Sequence, residues 1–122
     1  MKNQSWETLE YIKPNGEVPI EQYLNSLPTK HEAKVLRSIS LLEKYGPPIG
    51  MPHVRHLEDG IYELRTIFSS NIFRTCFFHY LDGQLILLHG FTKKQQKTPR
   101  REIERAKSYR DDFLQHKRRE IK

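Results

Sequence analysis

The amino-acid sequence predicts an α+β fold: a small antiparallel-rich sheet, made of an N-terminal strand plus a three-stranded meander, packed with two N-terminal helices and a C-terminal helix. Apolar residues recur at helical spacing in two early segments and one late one. Between them lie three strand-like runs divided by turn signals. The resulting order of strand, two helices, three strands and helix shows no internal repeat, linker or second domain.

The elements follow in turn. "WETLEYIK" (6–13) alternates imperfectly and reads as the first strand, ended by the turn signal "PNG". In "PIEQYLNSL", Pro19 suits a first helical position, and Ile20, Tyr23, Leu24 and Leu27 form one apolar face. "TKHE" (29–32) has the form of a capping box, in which Thr29 and Glu32 satisfy each other's backbone N–H. Val35, Leu36, Ile39 and Leu42 supply the apolar stripe of the next helix, and Gly46 with Pro47 and Pro48 ends it. "GIYELRTIF" (60–68), "NIFRTCFFHY" (71–80) and "QLILLHGF" (84–91) are the meander, joined by "SSN" and "LDGQ". The Asp-Gly of the second joint suits a type I′ turn, with positive φ at both central residues. The third run is apolar on both faces, as expected in the middle of a covered sheet. Thr98 offers an N-cap and Pro99 an N1 for a helix striped by Ile103, Ala106, Tyr109, Arg110 and Phe113.

At 122 residues the chain is expected to be a single domain, 1–122, with a frayed basic tail from about 115. The N-terminus has no apolar run of signal-peptide type, and no segment approaches the ~18 apolar residues of a membrane span. Cys76 is the only cysteine, so no internal disulfide is possible, which fits a reducing, cytoplasmic setting with no membrane partner.

Net charge is +6, unevenly spread. Residues 1–52 balance six Lys/Arg against six Asp/Glu, 53–92 sum to −1, and 93–122 carry +7. Such asymmetry points to a nucleic acid or an acidic protein as partner, although a solvated helix with a basic tail gives the same pattern. Strand alternation places Glu63 and Arg65 on one face, and Arg74 among Ile72, Cys76 and Phe78. An arginine there must be paired or exposed. It either bridges to Glu63, or converges with Arg65 beside Lys93 and Lys94 to make a phosphate site.

"GIYELR", the arginine of "IFRTCFFHY", "ILLHGFTKKQQKTPRREIERA" and "IKPNGEVPIEQYLNSL" together resemble the RelE/ParE superfamily of toxins, in its HigB-like, phage-derived branch. The resemblance covers roughly residues 8–113. It implies a toxin of a type II toxin–antitoxin pair that enters the ribosomal A site and cuts mRNA by attack of a ribose 2′-OH on the adjacent phosphate. It also implies partners: the ribosome and mRNA, a cognate antitoxin from a neighbouring gene with a helix-turn-helix, and operator DNA only through the antitoxin complex. Carried over by position, Arg65, Arg74, Lys93 and Lys94 are the catalytic set; no tyrosine follows that motif until Tyr109, which leaves the aromatic role open to Tyr80, Tyr62, His89 or His79. Lys97, Arg100, Arg101, Arg105 and Lys107 are expected to dock on ribosomal RNA from the exposed side of the last helix.

Other chemistry is weakly represented. His53 and His56 lack a third ligand nearby, so no metal is expected. Cys76 reads as a small core residue, and no phosphate-cradling glycine loop implies a nucleotide cofactor. Two further functions fit the same residues: gyrase poisoning of the ParE kind, and a non-catalytic basic module that binds antitoxin or DNA.

Overall fold

The structure is a computed structural model and describes residues 6–117. Strand β1 (Glu7–Glu10) leads into helices α1 (Pro19–Asn25) and α2 (Thr29–Tyr45), then a short 3₁₀ turn at Pro47–Ile49. Strands β2 (Val54–Glu58), β3 (Ile61–Phe68), β4 (Asn71–His79) and β5 (Gln84–Lys93) follow, and helix α3 (Arg100–His116) closes the chain. This is the α+β architecture expected, with one more strand.

The sheet order is β1-β5-β4-β3-β2. β1 runs parallel to β5, with Glu7 opposite Gln84, and every other neighbour is antiparallel. α1 and α2 cover one face, burying Val35, Leu42, Leu64, Phe77 and Leu85. α3 covers the other, over Tyr11, Cys76, Leu88, Ala106 and Phe113. β5 has strands on both sides and helices on both faces, which is why its apolar residues do not alternate with polar ones. Tyr23 of α1 lies flat against β5 at Gly90, where a Cβ would stand 2.2 Å from the ring.

β2 was not expected. Of "VRHLE" only Val54 is buried, so this edge strand lacks the apolar alternation by which strands are recognised. Its hairpin to β3 turns at Asp59 (φ 52°) and Gly60 (φ 79°), so the type I′ signature sits here. At Leu81–Gln84, by contrast, only Gly83 has positive φ, and the Gln84 N–H donates to the Leu81 carbonyl at 2.7 Å. The turn expected there is therefore of another type.

Both expected helix caps are displaced by one residue. α2 and α3 have Pro28 and Pro99 as N-caps, each with φ near −57° and extended ψ, and neither helix has a side-chain cap. Proline suits this position because its carbonyl accepts the first helical bond while its missing N–H is not needed there. The capping box therefore does not form: the Glu32 N–H bonds the Pro28 carbonyl at 2.9 Å, and Thr29 is already helical. Leu36, expected in the buried stripe, is 45% exposed. Gly46 ends α2 as expected, with φ 73°, and its missing side chain admits the Trp6 indole, which a Cβ would meet at 2.2 Å. α3 continues through Gln115 and His116 and is capped by Lys117 (φ 58°), and residues 118–122 of the expected frayed tail lie outside the described residues.

Candidate functional site

β3 and β4 pair so that Arg65 stands directly opposite Arg74. Two facing guanidiniums repel unless a counter-charge lies between them. Glu63 supplies it. This carboxylate is fully buried, with Oε1 3.3 Å from Arg74 Nε and Oε2 3.7 Å from Arg65 Nε. The Thr98 hydroxyl, drawn away from helix capping, donates to Glu63 Oε1 at 2.6 Å. One carboxylate for two guanidiniums leaves a net positive charge.

The chain after β5 folds over that charge. Arg74 Nη2 donates to the carbonyls of Gln95 (2.6 Å) and Gln96 (2.8 Å). Arg65 Nη2 donates to Gln96 Oε1 at 3.1 Å, and its Nη1 to the Pro52 carbonyl at 3.5 Å. Residues 94–97 thus form a strap tied down through its own backbone, with Arg55 Nη1 also reaching the Gln96 carbonyl at 3.4 Å. Arg74 is 0% exposed beneath the strap and Arg65 is 6% exposed. Of the two alternatives for Arg74 the bridge to Glu63 forms, Arg65 joins it, and the guanidinium of Arg74 is closed to any ligand in this arrangement.

Lys93 faces the same side of the sheet. A bulge between Cys76 and Phe77 leaves Leu88 unpaired and re-aims the end of β5, so that His89, Phe91 and Lys93 stand opposite Cys76, Arg74 and Ile72. Lys93, Lys94 and Lys97 make no ion pair among the described residues, and Lys94 and Lys97 lie exposed on the strap.

The family model described as phage-derived protein Gp49-like matches residues 22–111. The chain belongs to this family. It is a RelE-like toxin family, and all nine expected site residues fall within the matched span. Among solved structures, a chain of the archaeal RelE–RelB complex from Pyrococcus horikoshii OT3 is similar at 17% identity, covering 77% of this chain and 100% of that one, with a TM-score of 0.49. No curated protein matches by sequence.

In this Gp49-like chain, most of the cations expected to dock RNA from α3 are engaged within the fold. Arg100 and Lys107 both bind Glu58 on β2, and Arg100 also binds Glu104. Arg110 holds Asp59 at the β2–β3 turn at 2.9 Å. Arg105 and Arg101 lie 3.4 and 3.8 Å from Glu102. The hydrogen bonds from Arg100 and then Lys107 lower the Glu58 carboxyl to about 2. These contacts clamp α3 to the hairpin, while Arg100, Arg101 and Arg105 keep about half or more of their side-chain surface in water.

The aromatic candidates lie apart from the arginines. Tyr62 stacks on Phe77 on the opposite face of the sheet, Tyr80 packs on Phe113, and His79 packs on Trp6. Tyr109 stacks on Tyr11. His89 is nearest, since its ring stacks on Phe91, and its Nε2 is 3.0 Å from Glu102 Oε1. Burial lowers the His89 pKa, against the opposing pull of Glu102. Sequence reasoning missed Glu102 and the strap carbonyls of Gln95 and Gln96. Backbone acceptors leave no trace in residue identity, and Glu102 reads as an ordinary first-turn acid.

Among the described residues no group of three His, Cys, Asp or Glu side chains could hold a metal ion, and no helix is long and apolar enough to cross a membrane.

Proposed function

We propose that this Gp49-like chain is the toxin of a toxin–antitoxin pair and acts as a ribosome-dependent endoribonuclease on mRNA. The observation that carries the reading is the buried Arg65–Glu63–Arg74 group, which ties down a strap bearing Lys94 and Lys97 with Lys93 at its root. In-line cleavage forms the O2′–P bond and breaks the P–O5′ bond, leaving a 2′,3′-cyclic phosphate and a 5′-OH. The 2′ proton leaves to a base and the 5′ oxygen gains one from an acid. Between these transfers the phosphorane carries an extra negative charge, and rigidly held cations stabilise it more than they stabilise the substrate.

Lys93 and Lys94 are the residues we assign to that charge. Arg65 and Arg74 are positioning residues in this arrangement, since they fix the strap from which the lysines project. Lys97 and the exposed parts of Arg100, Arg101 and Arg105 supply contacts to RNA backbone. The partner implied is an antitoxin whose acidic surface covers these cations.

Primer extension on translated mRNA after brief expression tests the reading. Discrete cuts within codons are expected, and they should be lost in the Lys93→Ala, Lys94→Ala double variant. Growth arrest with DNA damage and no cuts would point to gyrase poisoning instead, and no growth arrest at all would remove the toxin reading.

A further inference from the structure

A second uncompensated basic surface among the described residues lies outside the segment with the largest net charge. Lys30, Lys34, Arg37 and Lys44 sit at i, i+4, i+7 and i+14 along α2, and therefore share one helix face. None of the four makes an ion pair among the described residues. The acids of this helix lie elsewhere on its circumference. Glu32 follows Lys30 by two positions, about 200° around the helix, and Glu43 turns to the Thr8 hydroxyl at 2.5 Å.

This face runs into a cleft. β2 begins at Val54, opposite Leu64, so the end of β3 beyond Arg65 has β4 on one side and no strand on the other. The space between that end and α2 is a concavity of about 280 Å³, lined by Lys34, Arg37, Ser38, His53, Arg65 and Thr66, with Pro52 and Ile67 at its border. No carboxylate lines it. The Thr66 hydroxyl donates to Ser38 Oγ at 2.7 Å, a contact that does not use the Ser38 O–H. Lys34 Nζ is held 5.0 Å over the Phe68 ring, so its ammonium is steered without being neutralised. Arg65 links this cleft to the strap through its contact with Gln96.

We propose that the α2–β3 cleft is a phosphate subsite, in which Arg37, Lys34 and Ser38 bind the backbone of a single-stranded RNA. The strand then passes Arg65 toward Lys93 and Lys94, with Lys30 and Lys44 extending the contact along α2. This rests on the proposed function for the choice of RNA as ligand, but it concerns binding rather than cleavage. Each phosphate contact to a single strand steepens the dependence of log affinity on log salt by about 0.7, which at 0.1 M salt is about five-fold in affinity.

The test titrates a fluorescent 2′-O-methyl oligoribonucleotide, which cannot be cleaved, against the full chain over a range of NaCl concentrations. Lys34→Gln with Arg37→Gln should weaken binding about 25-fold at 0.1 M and flatten the salt slope by about 1.4. Should the double variant fail to fold, the exposed Arg37→Gln alone carries the test, with a slope change of about 0.7. An unchanged slope overturns the subsite, as does failure of the unaltered chain to bind the oligonucleotide. Equal competition by poly-glutamate at matched charge also overturns it, since the cleft would then be a protein-docking surface. Primer extension separates this from the function: cuts with an unchanged slope remove the subsite and keep the nuclease, and a flattened slope without cuts does the reverse.

Discussion

Glu63→Gln isolates the charge on which the arginine pair depends. Glutamine keeps the side-chain volume and an acceptor for the Thr98 hydroxyl, so neither a cavity nor a lost hydrogen bond confuses the result. What disappears is the negative charge 3.3 and 3.7 Å from two guanidiniums that face each other across β3 and β4. Arg74 is 0% and Arg65 6% exposed, so water cannot screen the repulsion left behind. Unbalancing a buried ion pair typically costs about 3–5 kcal/mol, against a total stability of about 5–15 kcal/mol for a domain. Urea denaturation at neutral pH should therefore show a loss of about 3–5 kcal/mol with an unchanged m-value. Adding Arg74→Met to Glu63→Gln removes one of the two unmatched charges, and with it their mutual repulsion, and should recover part of that loss, a coupling that a double-mutant cycle measures directly. A loss below about 1 kcal/mol, the size of an exposed pair, would refute the reasoning. The carboxylate would then not be what holds the two arginines together.

Gly90→Ala should lower the thermal midpoint sharply, since its Cβ would sit 2.2 Å from the Tyr23 ring and overpacking costs about 1–3 kcal/mol; an unchanged midpoint would mean that α1 is free to shift away from β5. The Glu58 carboxyl is lowered from 4.5 to about 2 in the folded chain, so between those values the unfolded chain binds more protons and stability falls as pH falls. Glu58→Gln should accordingly flatten the pH dependence of the unfolding midpoint in that window, and an identical profile would show that the Arg100 and Lys107 contacts are not made in solution. Cys76 is buried, and burial followed by the Glu63 charge pushes its thiol up. Its labelling by a thiol reagent should track the urea unfolding curve, and fast labelling of the native chain would contradict this core packing.

Much of the fold was legible because two devices write themselves into residue order. The helical spacing of Ile20 and Leu24, and of Val35, Ile39 and Leu42, marks amphipathic helices. The unbroken apolar run of β5 marks a strand covered on both faces. β2 was illegible for the opposite reason. An edge strand with one buried residue is held by backbone pairing and by side chains from α3 that bind Glu58, and neither contributes a pattern to its own five residues. The two proline N-caps show a different limit. Thr29 and Thr98 are good capping residues by type, but each follows or precedes a proline whose fixed φ decides where the helix begins.

The site was legible in its charges and not in their accounting. Alternation correctly put Glu63 with Arg65, yet period-two counting along β5 would have placed His89, Phe91 and Lys93 with Leu85 and Leu87 under α1 and α2. One unpaired residue, Leu88, reverses that and brings Lys93 to the face of the arginines. Summing charge along the chain put the whole excess after residue 92. In the fold, Arg100, Arg105, Lys107 and Arg110 in that region are matched by Glu58, Asp59, Glu102 and Glu104, while α2, from a stretch that sums to zero, carries four unmatched cations on one face. Electrostatic attraction for a polyanion depends on which charges remain unpaired at the surface. On that criterion the RNA proposed above would meet α2 and the strap before the helix that holds most of the positive residues.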